Sequence, residues 1–388
     1  MILEDVRLRD TVQDNDNSPY FYRSRIVDIT TDKGTFSTPN RVLARSEYLA
    51  RSGAVLAKPL QTELTIDFRN LSDSQVSGLL NKNKVGEKMV GVTKQYNDIT
   101  QRALFKISVF QPPLSTLRDM PLTQKKEFAD AQADYLQRRL GTNLITYPYL
   151  ELNSTDYIDF IDSHYRRDEN NSVIFTLSLG MDRNSLQEIL DHLIAKQDPM
   201  IINLIYQEWE KSIPQHNLIN SYFDNERTAF FATQVPREDV ESHVSNLHGV
   251  AFGGGFDLVS LIQPRGFGKN DNLDMTKIKF FNPQTLEIDN IENTLADNSR
   301  NMLEEFDFTS YDYNDAEYVT RILNHYEGAK IHPKKYQILY YLAKVHEAYT
   351  SPLKFDHERE LIQSRELDEH IEETNLKNMP LIARRKRI

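Results

Sequence analysis

Three consecutive glycines, Gly253, Gly254 and Gly255, run into Phe256 and Asp257. Glycine lets a flat ring approach the backbone closely. A carboxylate beside such a gap suits the role of nucleophile at the anomeric carbon of a sugar. Asp257 is therefore the first candidate catalytic residue, and its competing role is to cap the turn after the glycines. Asp98 is the candidate second carboxylate, an acid/base that manages a proton on the leaving group. Its competing role is to cap a helix starting at Ile99. Glu151, Asp182, Gln207 and Gln234 each stand just after an apolar run. Carboxylates and amides in such places hydrogen-bond a ligand or satisfy loop backbone. With the three glycines they make up the candidate substrate-binding set. His216, His243, His248 and His325 are scattered without metal-ligand spacing, and cysteine is absent. Metal centres, disulfides and thiol nucleophiles are not expected.

These residues need a scaffold, and a spacing supplies one. Apolar, β-rich runs start at Leu144, Ser172, Met200 and Thr228, at intervals of 28 residues, and a fifth run, GVAFGG, begins at Gly249. Short, continuously apolar runs read as strands covered on both faces. Helical patterns lie between them. Asn184 to Lys196 carries an apolar face, with Ser185 and Glu188 spaced as a capping box. Pro236 to Asp239 reads as the start of another helix, and Ser154 to Ser163 carries a shorter one. Strand and helix alternating at this period predict a parallel sheet. Three earlier runs, Gly53–Leu60, Lys88–Thr93 and Ala103–Phe110, bring the strand count to eight. The expected fold is α/β, a (β/α)8 TIM-type barrel with its active site at the C-terminal strand ends. An open doubly wound sheet is the rival, but no glycine-rich phosphate fingerprint follows the early strands, and no cofactor is expected. Tyr20–Leu43 reads as a β-hairpin turning at Asp32-Lys33-Gly34. The expected organisation is an N-terminal hairpin cap over residues 1–50, the barrel over 51–275, and an extension over 276–388. That extension is read as a small hairpin (Lys277–Phe281 with Thr285–Ile288), two helices (Tyr336–Tyr349 and His357–Thr374) and a basic tail.

Composition sets outer limits. The 388 residues carry a net charge of −11, with 39% hydrophobic residues, enough for a sizeable core and unlike a disordered chain. The acidic balance opposes non-specific coating of nucleic acid. Arg265, Lys269 and the run Arg384-Arg385-Lys386-Arg387 are candidate phosphate contacts, or solvated surface charge. No run approaches the ~18 apolar residues of a membrane span, and MILEDVRLRD is no signal peptide. A soluble, cytoplasmic protein with no membrane partner is expected.

The order of these pieces resembles the tRNA-guanine transglycosylase superfamily, which includes relatives that insert 7-deazaguanine bases into DNA. Gly34-Thr35-Phe36-Ser37-Thr38-Pro39 is similar to that family's opening G-x-x-x-T-P. Leu122-Thr123 through Gln132 to Leu140-Gly141 is similar to its L-T-P-E…Q…L-G helix. Val235-Pro236-Arg237-Glu238-Asp239 resembles its x-P-E-D, and Gly255-Phe256-Asp257 with Pro264-Arg265 resembles its G-I-D…P-T-R. Where the family has D-S-G-G-F-Q, this chain reads Val92 to Asp98. The family's cysteine zinc site is absent, and Tyr149 or Glu151 stands for its guanine-binding aspartate. The resemblance implies exchange of guanine for a 7-deazaguanine through an Asp257 nucleophile, in DNA rather than tRNA. It implies nucleic acid and a deazaguanine base as partners, and a homo- or hetero-oligomer as a possible assembly. Two alternatives stand beside it. One is a catalytically inactive nucleic-acid-binding or partner subunit of the same fold. The other is an unrelated carboxylate-dependent barrel enzyme using Glu151, Asp182 and Asp257 on sugars or nucleotides.

Overall fold

A computed structural model describes residues 1–13, 18–45, 47, 64–81, 103–140, 144–165, 172–239, 242–262, 278–282, 284–290 and 332–382. The chain opens with three antiparallel strands, β1 (Leu3–Gln13), β2 (Arg23–Thr31) and β3 (Gly34–Ser37). Thr31 pairs with Gly34 across a two-residue turn, and Gly34 sits at φ 143, where glycine is favoured. Two short strands follow, β4 (Asn40–Arg41) and β5 (Leu43–Ala44), then β6 (Leu64–Asn70), helix α1 (Asp73–Leu80) and β7 (Phe105–Gln111).

After helices α2 (Leu114–Asp119) and α3 (Leu122–Leu140), strand and helix alternate. They are β8 (Leu144–Tyr147), α4 (Ser154–His164), β9 (Ser172–Ser178), α5 (Arg183–Ile194), β10 (Met200–Ile205), α6 (Trp209–Ser221) and β11 (Thr228–Val235). The four strand starts fall on Leu144, Ser172, Met200 and Thr228, as the 28-residue spacing predicts. Helix α7 (Asn246–Gly254), strand β12 (Leu258–Leu261), the hairpin β13 (Lys279–Phe281) and β14 (Ile288–Asn290), and helices α8 (His332–Ser364) and α9 (Leu367–Glu373) complete the chain.

The architecture is mixed α/β with parallel sheets. One runs β4-β12-β11-β10-β9-β8 and the other β5-β6-β7, all pairs parallel. Residues 40–44 join the two sheets, because β4 pairs with β12 and β5 with β6. At the opposite edges, β7 and β8 are tied by side chains. Thr146 Oγ1 donates to the Ser108 carbonyl. Gln111 Nε2 donates to the Tyr149 carbonyl at 2.9 Å, and Tyr149 N donates back to Gln111 Oε1 at 3.0 Å. One apolar cluster takes Val42, Leu64, Phe105, Leu144, Ile174, Ile201, Ala229 and Leu258, one from each successive parallel segment. Val6, Val27, Ile29 and Phe36 of β1–β3 complete that cluster from the strands' N-terminal side. There Leu3 N meets Ser172 Oγ at 2.8 Å and Leu8 N meets the Glu226 carbonyl at 3.0 Å. A second cluster lies between the strands and α4 to α7. Each such buried side chain contributes roughly 1.5–3 kcal/mol.

Several expectations are corrected. The run at Gly249 is helix α7, not a strand. All nine of its residues are buried, so it has no polar face and no readable period. The strand expected there starts at Leu258. Pro236 to Asp239 opens no helix and runs as irregular chain into a bridge between Glu238 and Ser245. The capping box at Ser185 and Glu188 gives way to a cap by Asp182. The two C-terminal helices are one, His332–Ser364, continuous through Pro352, followed by the short α9. Residues 40–44 lie in the parallel sheets rather than in the N-terminal cap. Strands β1 and β6 were not anticipated. Gly53–Leu60 and Lys88–Thr93 lie outside the described residues. No helix among the described residues is long and apolar enough to cross a membrane.

Candidate functional site

Asp257 precedes β12, at the N-terminal end of the parallel strands, and is 1% exposed. Its carboxylate accepts from Arg25 Nε at 2.9 Å, Arg25 Nη2 at 2.7 Å and Phe230 N at 2.7 Å. Arg25, on β2, also donates to the carbonyls of Phe223, Asn225 and Thr228. The pair pins the N-terminal sheet to the starts of β11 and β12. This corrects the expectation that the carboxylate stands open at the C-terminal mouth. Both oxygens are engaged and the side chain is buried, so it is closed to a sugar.

The glycines also have another use. Gly253 and Gly254 lie inside α7 and Gly255 is its left-handed cap at φ 70. A Cβ at Gly253 would stand 2.8 Å from Leu381, and one at Gly255 2.4 Å from Asn220 Oδ1. They permit close helix packing, not approach of a ring. Asp182 is exposed and caps α5, accepting from Asn184 N at 3.0 Å and Ser185 N at 2.9 Å. Hydrogen bonds from the Ser185 side chain and then the backbone hold its carboxyl below the usual range. It is a helix cap at the strand-end face rather than a converging carboxylate.

Glu151, Gln207 and Gln234 lie at the C-terminal ends of their strands. Glu151 follows β8 and Gln234 is the last residue but one of β11. Both take positive φ, 52 and 63 degrees. Non-glycine residues held there cost roughly 1–3 kcal/mol and cluster at functional sites. Glu151 Oε1 accepts from Arg118 Nε at 3.0 Å, and its carbonyl takes Lys125 Nζ at 3.0 Å. Its Oε2 is buried and has no hydrogen-bond partner among the described residues. Gln234 Oε1 meets Asn70 Nδ2 at 3.4 Å. Asn70 ends β6 and Gln234 is the last residue but one of β11, strands that are not neighbours, so this contact crosses the space between strand ends. Gln207, half-buried after β10, lies over Gly180, where a Cβ would stand 3.5 Å from its Cγ. Tyr149, buried beside Glu151, has its hydroxyl pushed up to about 12, by burial first and then by the Glu151 charge. It remains a hydrogen-bond donor at neutral pH.

The strand-end face therefore carries one carboxylate with a free oxygen, three amides (Asn70, Gln207 and Gln234) and a phenol. Such a set can donate and accept hydrogen bonds to a polar ligand. Asn70 was missed because β6 was missed. Gln111 closes an expected strand but was not singled out. Its amide is spent on the Tyr149 backbone. Asp98, Arg265, Lys269, Arg384, Arg385, Lys386 and Arg387 lie outside the described residues. Among the described residues no group of three metal-ligating side chains occurs. No protein-family model matches the chain, and no curated protein matches it.

Proposed function

We propose that the eight parallel segments close into a (β/α)8 barrel of the transglycosylase kind, and that its strand-end mouth binds a guanine- or 7-deazaguanine-type base of nucleic acid, DNA before tRNA. The barrel acts as a base-binding or partner subunit and does not use Asp257 to exchange the base. Closure is supported by residues 40–44, which pair with both β12 and β6, and by the side-chain ties between β7 and β8.

One observation carries the functional reading: a separation. Asp257 is spent on Arg25 at the N-terminal strand ends, while Glu151, Gln207 and Gln234 stand at the C-terminal ends. A base-exchange nucleophile must sit within about 3–3.5 Å of the anomeric carbon of the sugar whose base it releases. Asp257 does not share a pocket with the groups suited to hold that base. Glu151, through its free oxygen, and the amides of Gln207 and Gln234 would hydrogen-bond the exocyclic amine and the sugar of the bound nucleotide.

The test pairs two assays on the full chain. Labelled 7-deazaguanine is offered with DNA and with tRNA, and incorporation is counted. Retention of the same nucleic acids is measured by filter binding. Retention without incorporation is expected. Incorporation that Asp257→Asn abolishes in a folded protein would overturn the reading, and so would incorporation that Asp98→Asn abolishes.

A further inference from the structure

Inside the ring of parallel strands, the side chains change character with height. The lower layer is apolar, with Ile174, Ile201, Ala229, Phe231 and Leu258 in one cluster. Strand alternation puts residues two apart on the same face. Above Ile174 come Thr176 and Ser178, above Ile201 Asn203, above Phe231 Thr233, and above Leu258 Ser260. Each of these five is at most 6% exposed. This is an unusual place for polar side chains, since the strands below them are lined by aliphatic and aromatic groups.

Two of the five have spare capacity. Asn203 Nδ2 donates to Thr176 Oγ1 at 3.0 Å, which fixes the amide with its oxygen as the free acceptor. Asn203 Oδ1 is buried and has no hydrogen-bond partner among the described residues, and the same holds for Ser260 Oγ. Ser178 and Thr233 are already used, on Gly180 N at 3.1 Å and the Leu204 carbonyl at 3.5 Å. Leaving a buried amide oxygen and a hydroxyl unpaired is destabilising, so such groups are normally satisfied by something. The way in is from the strand ends. Ile205, which pairs in register with Ser178 and Thr233, is only partly buried although its neighbours below are closed off. Gly180 adds no side chain between Ser178 and Gln207.

We propose that Asn203 and Ser260 form the floor of the mouth and take the donor–acceptor edge of the bound heterocycle, the N–H beside a carbonyl of a lactam ring. Asn203 Oδ1 accepts the ring N–H. Ser260 Oγ donates to the carbonyl or accepts from a neighbouring amine. The edge enters first, which leaves a sugar and its phosphates outside, at the level of Gln207 and Gln234. This rests on the base-binding reading above and gives it a specificity determinant: ring systems with a free lactam N–H bind, and those methylated there do not.

The experiment is calorimetric titration of the full chain with guanosine and 1-methylguanosine, for wild type, Ser260→Ala and Asn203→Leu, with thermal melting to verify folding. Guanosine is expected to bind wild type at least about tenfold more tightly than 1-methylguanosine, and each variant to lose about tenfold for guanosine alone. If Asn203→Leu does not fold, Ser260→Ala and the two nucleosides still decide. No guanosine binding by wild type would remove the base-binding reading and this floor with it. Equal binding of both nucleosides, unchanged in Ser260→Ala, would overturn the floor alone and leave water as its occupant.

Discussion

Replacing Asp257 by asparagine separates a structural pin from a nucleophile. In the wild type the carboxylate accepts three hydrogen bonds, two from Arg25 and one from Phe230 N, between groups no more than 1% exposed at the side chain. Asparagine retains one acceptor oxygen and turns the other position into a donor facing Arg25 or Phe230 N. The Arg25 guanidinium then lies buried without its counter-charge. Breaking a buried pair from one side costs about 3–5 kcal/mol, a large share of a typical 5–15 kcal/mol stability. The assay is urea unfolding followed by the fluorescence of Trp209, the single tryptophan. The free energy of unfolding should fall by that amount, lowering the urea midpoint accordingly, and any loss of binding should track the loss of folded protein. Substituting both partners with apolar residues, Arg25→Met with Asp257→Leu, should recover much of the loss, because the stranded charge goes with them. An Asp257→Asn protein as stable as wild type, within about 0.5 kcal/mol, would refute the pin.

Further outcomes follow from the same geometry. Glu358 lies between His248, at 2.9 Å, and His370, at 3.3 Å. Burial alone would raise its carboxyl, but the charge on His248 and the hydrogen bonds from both histidines overcome this and hold it down at about 2. A carboxylate held below its unfolded value of 4.5 adds stability above that value and loses it as pH falls through about 2. Urea midpoints measured from pH 6 down to 2 should therefore drop less steeply in Glu358→Gln than in wild type; equal slopes would count against the cluster. Gly255→Ala combines a left-handed φ of 70 with a Cβ 2.4 Å from Asn220 Oδ1, and should cost about 2–4 kcal/mol in the same unfolding assay. A neutral outcome would contradict the packing role given to the glycines. Asp182→Ala removes a two-bond cap and should lower the urea midpoint slightly with guanosine affinity unchanged; a large loss of affinity would restore it to the binding set.

Much of the strand framework was readable because both faces of those strands are covered. Continuous apolar runs recurring every 28 residues left little else for Leu144, Ser172, Met200 and Thr228 to begin. The reading failed where the same signal has two causes. GVAFGG is as apolar as a strand, but α7 is buried all round, and full burial erases the helical period. Strand β6, LTIDFRN, escaped because Asp67 and Arg69 interrupt its apolar run. They pair with each other, Arg69 Nε reaching the Asp67 carboxylate at 2.8 Å. Nothing in the local sequence declares such a partner. The site was harder for the same reason. Asp257 and Arg25 are 232 residues apart, and only the fold turns the glycine-flanked aspartate from an apparent nucleophile into an anchor. Gln207, Gln234 and Glu151 were legible because polar residues directly after apolar strands mark strand ends. Asn203 and Ser260 were not, since a single polar residue inside an apolar strand does not reveal which face it takes.

Binding of a base at the C-terminal strand ends, as proposed, is read out by photo-crosslinking. A single-stranded DNA oligonucleotide containing 6-thioguanine is irradiated with the full chain, and the adducts are mapped by peptide mass spectrometry. The account predicts adducts within residues 203–211 and 232–238 and beside Glu151, diminished by competing guanosine and by Gln234→Ala. Adducts confined to β1–β3 or to the neighbourhood of Asp257, unaffected by guanosine, would contradict it.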